Sequence, residues 1–138
     1  MSKRLEHARK LYAHALRAYQ DWQGATEYSH DRFAPENILL RYAAEKTWQA
    51  VALAAIDLLE TYDYPVPEDI MKLHIEVYNL RKQDSAMRRL LSAFIPIKST
   101  LHTDCYQDGE ILMPEMRYII TEDAKEFLDN IEALVSIR

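Results

Sequence analysis

Residues 38–62 read ILLRYAAEKTWQAVALAAIDLLETY, and between Ala50 and Leu59 the stretch is apolar nearly all round. Its alanines and leucines are strong helix formers, and Pro35 stands where a first helical turn tolerates a missing N–H. The spacing predicts a helix over about 35–62. A helix without a polar face must be touched by neighbours on more than one side, so this one belongs at the centre of a bundle. Its alanines permit close helix approach, and Trp48 supplies bulk. Glu45, Lys46 and Asp57 interrupt the apolar surface and read as solvent-facing, with a functional use as the alternative.

Working outward from that centre, Leu5, Ala8, Tyr12, Ala15, Leu16, Tyr19 and Trp22 recur at three- and four-residue steps and predict a helix over about 2–23, ended by Gly24. The polar run ATEYSHDRFA (25–34) reads as a connection. On the other side, DYPVPED (63–69) forces extended backbone through its two prolines, and Glu68 and Asp69 favour the start of a third helix with Ile70, Leu73, Val77 and Leu80 as its stripe. Asp84 or Ser85 caps a fourth, carrying Met87, Leu90, Leu91, Phe94, Ile97 and Leu101, which Pro96 should kink. The pattern lapses through HTDCYQDGEILMPEMRYII (102–120), where QDGE signals a turn and the short apolar runs read as extended. Thr121 then caps a last helix with Ala124, Phe127, Leu128, Ile131, Leu134 and Val135 facing inward. The expected architecture is an all-α, antiparallel four- to five-helix up-and-down bundle, one domain over 1–138, with a kink near Pro96.

Composition agrees with this reading. Only two glycines occur in 138 residues, too few for the tight turns of an all-β fold, while 49% hydrophobic residues suffice for a core. The opening MSKRLEHARK lacks an apolar leader, and the run AVALAAIDLL falls well short of a bilayer span; a cytoplasmic protein without a membrane segment is expected. The lone Cys105 reads as an idle buried thiol. Net charge is −5, which argues against general affinity for RNA or nucleotides. Two basic segments stand out nonetheless: Lys3, Arg4, Arg9, Lys10 and Arg17 near the start, and Arg81, Lys82, Arg88, Arg89 and Lys98 later. Together they could form a local anion-binding face, although solvated charge explains them as simply.

Several constellations fail on geometry. Arg9 and His14 are five positions apart, about 140° around a helix. Glu27 and His30 have the Glu-x-x-His spacing of di-iron bundles, but such sites need two pairs and two further glutamates. His7 and His14 lack a carboxylate pattern, and no glycine-rich phosphate loop, nucleophile elbow or zinc motif occurs, so neither a metal nor a cofactor is expected. What remains is IPIKSTLHTDCYQDG (95–109), with Lys98 four residues before His102.

Here a resemblance adds to the residue pattern. RYAAEKTWQAVALAAIDLLE looks like the second helix of HEPN-like bundles, LHTDCYQDG like their histidine-tyrosine segment, and TEDAKEFLDNIEAL like their C-terminal helix. The chain resembles a bacterial family of unassigned function within that group. Active HEPN-type ribonucleases carry an arginine followed after four to six residues by histidine, with a polar residue beside the arginine and a tyrosine beyond. The matching positions are Lys98, Ser99, His102 and Tyr106. Lysine lacks the planar fork that clamps a phosphate, and only three residues separate it from His102. The resemblance therefore implies a degenerate site: Lys98 and His102 adjacent on one helix, Asp104 and Tyr106 folded back beside them, and Glu45, Arg88 or Arg89 on the flank. It also implies a homodimer, a binding or interaction role with a protein partner encoded nearby, and a link to a toxin-antitoxin or defence system. The catalytic alternative is a metal-independent ribonuclease using His102. The structural alternative has His102 and Asp104 capping the end of the fourth helix, and the Tyr106 hydroxyl tied to backbone.

Overall fold

The computed structural model describes residues 2–24, 35–108 and 114–137, and every regular element among them is helical. The connection at 25–34, with Glu27 and His30, and the apolar run at 111–113 lie outside the described residues. Helix α1 spans Lys3–Gly24. A 3-10 turn at Pro35–Asn37 leads into α2, Ile38–Thr61, as the placement of Pro35 anticipates. A second 3-10 turn, Ile70–Lys72, opens α3, Leu73–Gln83. Asp84, in extended backbone, redirects the chain into α4, Ser85–Leu91. Then α5, Phe94–Ile97, runs on as a π-helix through Lys98–Gln107. Finally α6, Glu115–Tyr118, passes through a π segment at Ile119–Asp123 into α7, Ala124–Ser136.

Helix α2 is the element that the others share. It packs against α1, α3, the π-helix and α7, and Ala43, Ala44, Ala50, Ala52, Ala54 and Ala55 are fully buried along it. Alanine keeps the partners close, while Trp48 meets Phe94 at 5.4 Å between ring centroids, and Phe94 meets Phe127 at 6.2 Å. These aromatic contacts tie α2, α5 and α7 into one apolar cluster.

Three expectations are corrected, and the interruption expected near Pro96 is located. Asp57 is not a solvent residue: it is 7% exposed, accepts a hydrogen bond from Ser2 Oγ at 3.0 Å, and lies 4.0 Å from Arg4. A carboxylate at that depth is held by partners rather than by water. Ile70, expected in the α3 stripe, is exposed, because the 3-10 turn points it away from Leu73, Val77 and Leu80. The break in the fourth helix falls at Ser92–Ala93, one turn before Pro96. Pro96 thereby sits in the first turn of α5, where it removes no helical hydrogen bond. Thr121 caps nothing: it lies inside a helical run from Glu115 to Ser136, with its hydroxyl donating to Arg117 O at 2.7 Å, so 115–120 is helical and not extended.

Among the described residues no helix is long and apolar enough to cross a membrane.

Candidate functional site

The site is built where the π-helix crosses α2. A π-helix pairs N–H with the carbonyl five residues back, as Asp108 N does with Thr103 O at 3.1 Å, and such turns are rare and concentrate at functional positions. This one buries Leu101, His102 and Cys105 against α2. His102 is only 8% exposed, and its ring stands against Trp48 at 5.6 Å and parallel to Tyr106 at 6.1 Å.

Both ring nitrogens of His102 are engaged. Nδ1 lies 2.8 Å from Glu45 Oε2, and Nε2 lies 3.4 Å from Gln107 Nε2. An amide N–H can only donate, so Nε2 accepts and Nδ1–H donates to the carboxylate, the tautomer this network requires. Glu45 in turn accepts from Gln49 Nε2 at 3.5 Å. Arg41, one turn before Glu45, donates from Nε to Cys105 O at 3.4 Å and from Nη2 to Tyr106 O, holding the last carbonyls of the π-helix. Its guanidinium also stands 6.0 Å from the centre of the Tyr106 ring. Tyr106 is exposed and forms the rim together with Gln107.

Lys98 does not join this group. Its Nζ lies 3.1 Å from Nδ1 of His74 on α3. The expected pairing of Lys98 with His102 is thus replaced by two separate contacts: the Glu45 carboxylate accepts from the His102 imidazole, and a ring lone pair of His74 faces the Lys98 ammonium. Burial holds the Lys98 ammonium below the ordinary lysine range.

Of the residues singled out from sequence, the structure brings together His102, Glu45 and Tyr106. Asp104 is half-buried on the same π-helix, and its charge adds to the burial that pushes the Cys105 thiol up to about 12, so Cys105 is inert there. The capping role for His102 and Asp104 does not occur, since the helix continues past both of them to Gln107. Ser99 is exposed on the π-helix. Arg88 and Arg89 lie elsewhere: Arg88 lines a depression with Tyr78, Arg81 and Lys82, and Arg89 lines a cleft with Glu126 and Phe127. Four contributors escape the sequence reading, namely Arg41, Trp48, Gln107 and His74. For Arg41 a signal exists, since it stands four residues before Glu45 on the same face of an otherwise apolar helix.

Among the described residues no group of three or more histidine, cysteine or acidic side chains is gathered as a metal site. What the arrangement offers chemically is an imidazole oriented by a carboxylate, with an exposed amide and an exposed phenol ring at its mouth. Comparison of the chain with protein-family models, with curated proteins and with solved structures returns no match.

Proposed function

We propose that this chain is a HEPN-like antiparallel bundle acting as a non-catalytic interaction module, a homodimer that works with a protein partner in a toxin-antitoxin or defence-type system. One observation carries the reading: both nitrogens of His102 are committed, to Glu45 at 2.8 Å and Gln107 at 3.4 Å, while Lys98 is turned to His74. Metal-free RNA cleavage needs a base, an acid and a cation at one phosphate. Here the lysine that matches the family's arginine points to a different helix, and the histidine lies against the Gln107 amide. The remaining surface, Tyr106 and Gln107 over a rigid polar base, suits recognition by a partner.

The ribonuclease reading is the alternative, and one feature favours it. A carboxylate on Nδ1 orients Nε2 outward as a general base would be, with only an exposed glutamine in the way. Mixed RNA incubated with the protein in EDTA, beside His102→Ala, separates the two. We expect no cleavage by either, and a loss of about 1–3 kcal/mol in the variant because Glu45 loses its buried partner. Metal-independent cleavage that disappears in His102→Ala would establish the ribonuclease instead. Light scattering should return about twice the 16.2 kDa chain mass, and a monomer at micromolar and higher concentration would remove the dimer from the proposal.

A further inference from the structure

Two arginines of the first basic segment are neutralised within the fold. On α1, Arg4 is paired with Glu60 and Asp57, and Arg9 with Asp129 at 2.7 Å and Glu132 at 2.8 Å. On α3 and α4, by contrast, no carboxylate among the described residues forms an ion pair with Arg81, Lys82 or Arg88. These three line one depression of about 130 Å³ with Tyr78. Tyr78, Arg81 and Lys82 are three and four residues apart, on one face of α3. The single extended residue Asp84 folds α4 back so that Arg88 reaches the same place. The negative end of the α3 dipole explains a preference for Arg81 and Lys82 there. It does not explain Arg88, which arrives from the other helix and adds a third like charge.

We propose that this depression is a binding site for a small organic phosphomonoester. Three cations match a compact dianion with three terminal oxygens, and Arg81 is held 6.0 Å from the Tyr78 ring centre, so its planar fork is already oriented. Tyr78 is 53% exposed and offers an aromatic wall for the organic body of the ester. A nucleic-acid strand fits less well: beyond a Debye length of about 8 Å it would meet a protein of net charge −5, whereas a single phosphate stays inside the cationic pocket. The site lies on different elements from His102, so its failure would leave the interaction-module reading untouched.

The test is a titration of isotope-labelled full-length protein with phenyl phosphate at low ionic strength, followed by amide and arginine side-chain NMR. Saturable shifts confined to 78–89 are expected. Arg88→Gln and Lys82→Gln, both at exposed positions, should each weaken binding roughly tenfold, the effect of losing one charge-assisted hydrogen bond. Tyr78→Ala should weaken phenyl phosphate while leaving inorganic phosphate unchanged. Unsaturable shifts scattered over other basic positions such as Lys3 and Lys10, or affinity unchanged in both charge variants, would overturn the site. A phosphoserine peptide or a short single-stranded oligonucleotide binding there more than tenfold tighter than phenyl phosphate would overturn the small-ester assignment. Matching circular dichroism spectra and melting curves confirm that each variant compared is folded.

Discussion

Asp63 adopts a φ of 60°, in the left-handed region, immediately after the C-cap of α2 at Tyr62. Its N–H reaches Glu60 O at 3.1 Å and the N–H of Tyr64 reaches Leu59 O at 2.9 Å, the paired bonds of a Schellman motif whose left-handed position favours glycine. Aspartate tolerates that conformation better than most residues but still carries a Cβ penalty. Asp63→Gly should therefore stabilise the fold by about 0.5–1 kcal/mol, offset in part by the greater freedom of glycine in the unfolded chain. Urea unfolding at unchanged slope measures it, and a fall in midpoint would show that the carboxylate makes a contact worth more than the strain. The turn itself was legible in DYPVPED, but a positive φ at Asp63 was not, because aspartate leaves its backbone region open. His102 and Glu45 were likewise visible as residues, while their 2.8 Å contact was not: 57 positions separate them.

At the scale of elements, both π segments share a device. A π turn shifts the carbonyl register, and a side chain from another helix supplies a donor. Arg41 of α2 serves Cys105 O and Tyr106 O, and Tyr12 of α1 donates to Ile120 O at 2.7 Å. Tyr12→Phe should cost about 1–3 kcal/mol, since the buried carbonyl then lacks this donor. Burial, with the charges of Glu122 and Asp129 adding to it, pushes the Tyr12 phenol up to about 12 from 10.0. The folded chain thus keeps this proton when the unfolded one loses it. The contribution is whole below about pH 10, and stability falls as pH rises from there toward 12. A stability profile over that window should be flatter in Tyr12→Phe than in the parent, and parallel profiles would refute the assignment. The same segments explain where the sequence reading lapsed. Ile97, Leu101 and Cys105, and again Met116, Ile120, Ala124 and Leu128, are buried at strict four-residue steps. That repeat is longer than the 3.6 of an α-helix and fits the wider π turn, so a search tuned to 3.6 follows the stripe to Leu101, resumes it at Ala124, and misses Cys105, Met116 and Ile120 between them.

At the scale of the whole molecule, α2 sets the spacing of its neighbours. Ala54 is fully buried among them, and Ala54→Leu inserts three carbons at a position with no exposed surface. Overpacking should cost about 1–3 kcal/mol in urea unfolding. A neutral result would mean that the partners slide apart at little cost and that α2 is not the rigid centre.

The helical class, the central place of α2 and the inward faces of α1, α3 and α7 were all set by local pattern, because apolar spacing and residue propensity act within a few turns of chain. Which polar groups meet was decided only by tertiary packing. Lys98 finds His74 rather than His102, Asp57 is buried under Ser2, and Arg4 and Arg9 of α1 are neutralised while the arginines lining the α3–α4 depression are not. Hydrogen bonds and ion pairs act over a few ångströms. Whether two such groups come within that range depends on how helices distant in sequence cross, and no single stretch of residues specifies a crossing.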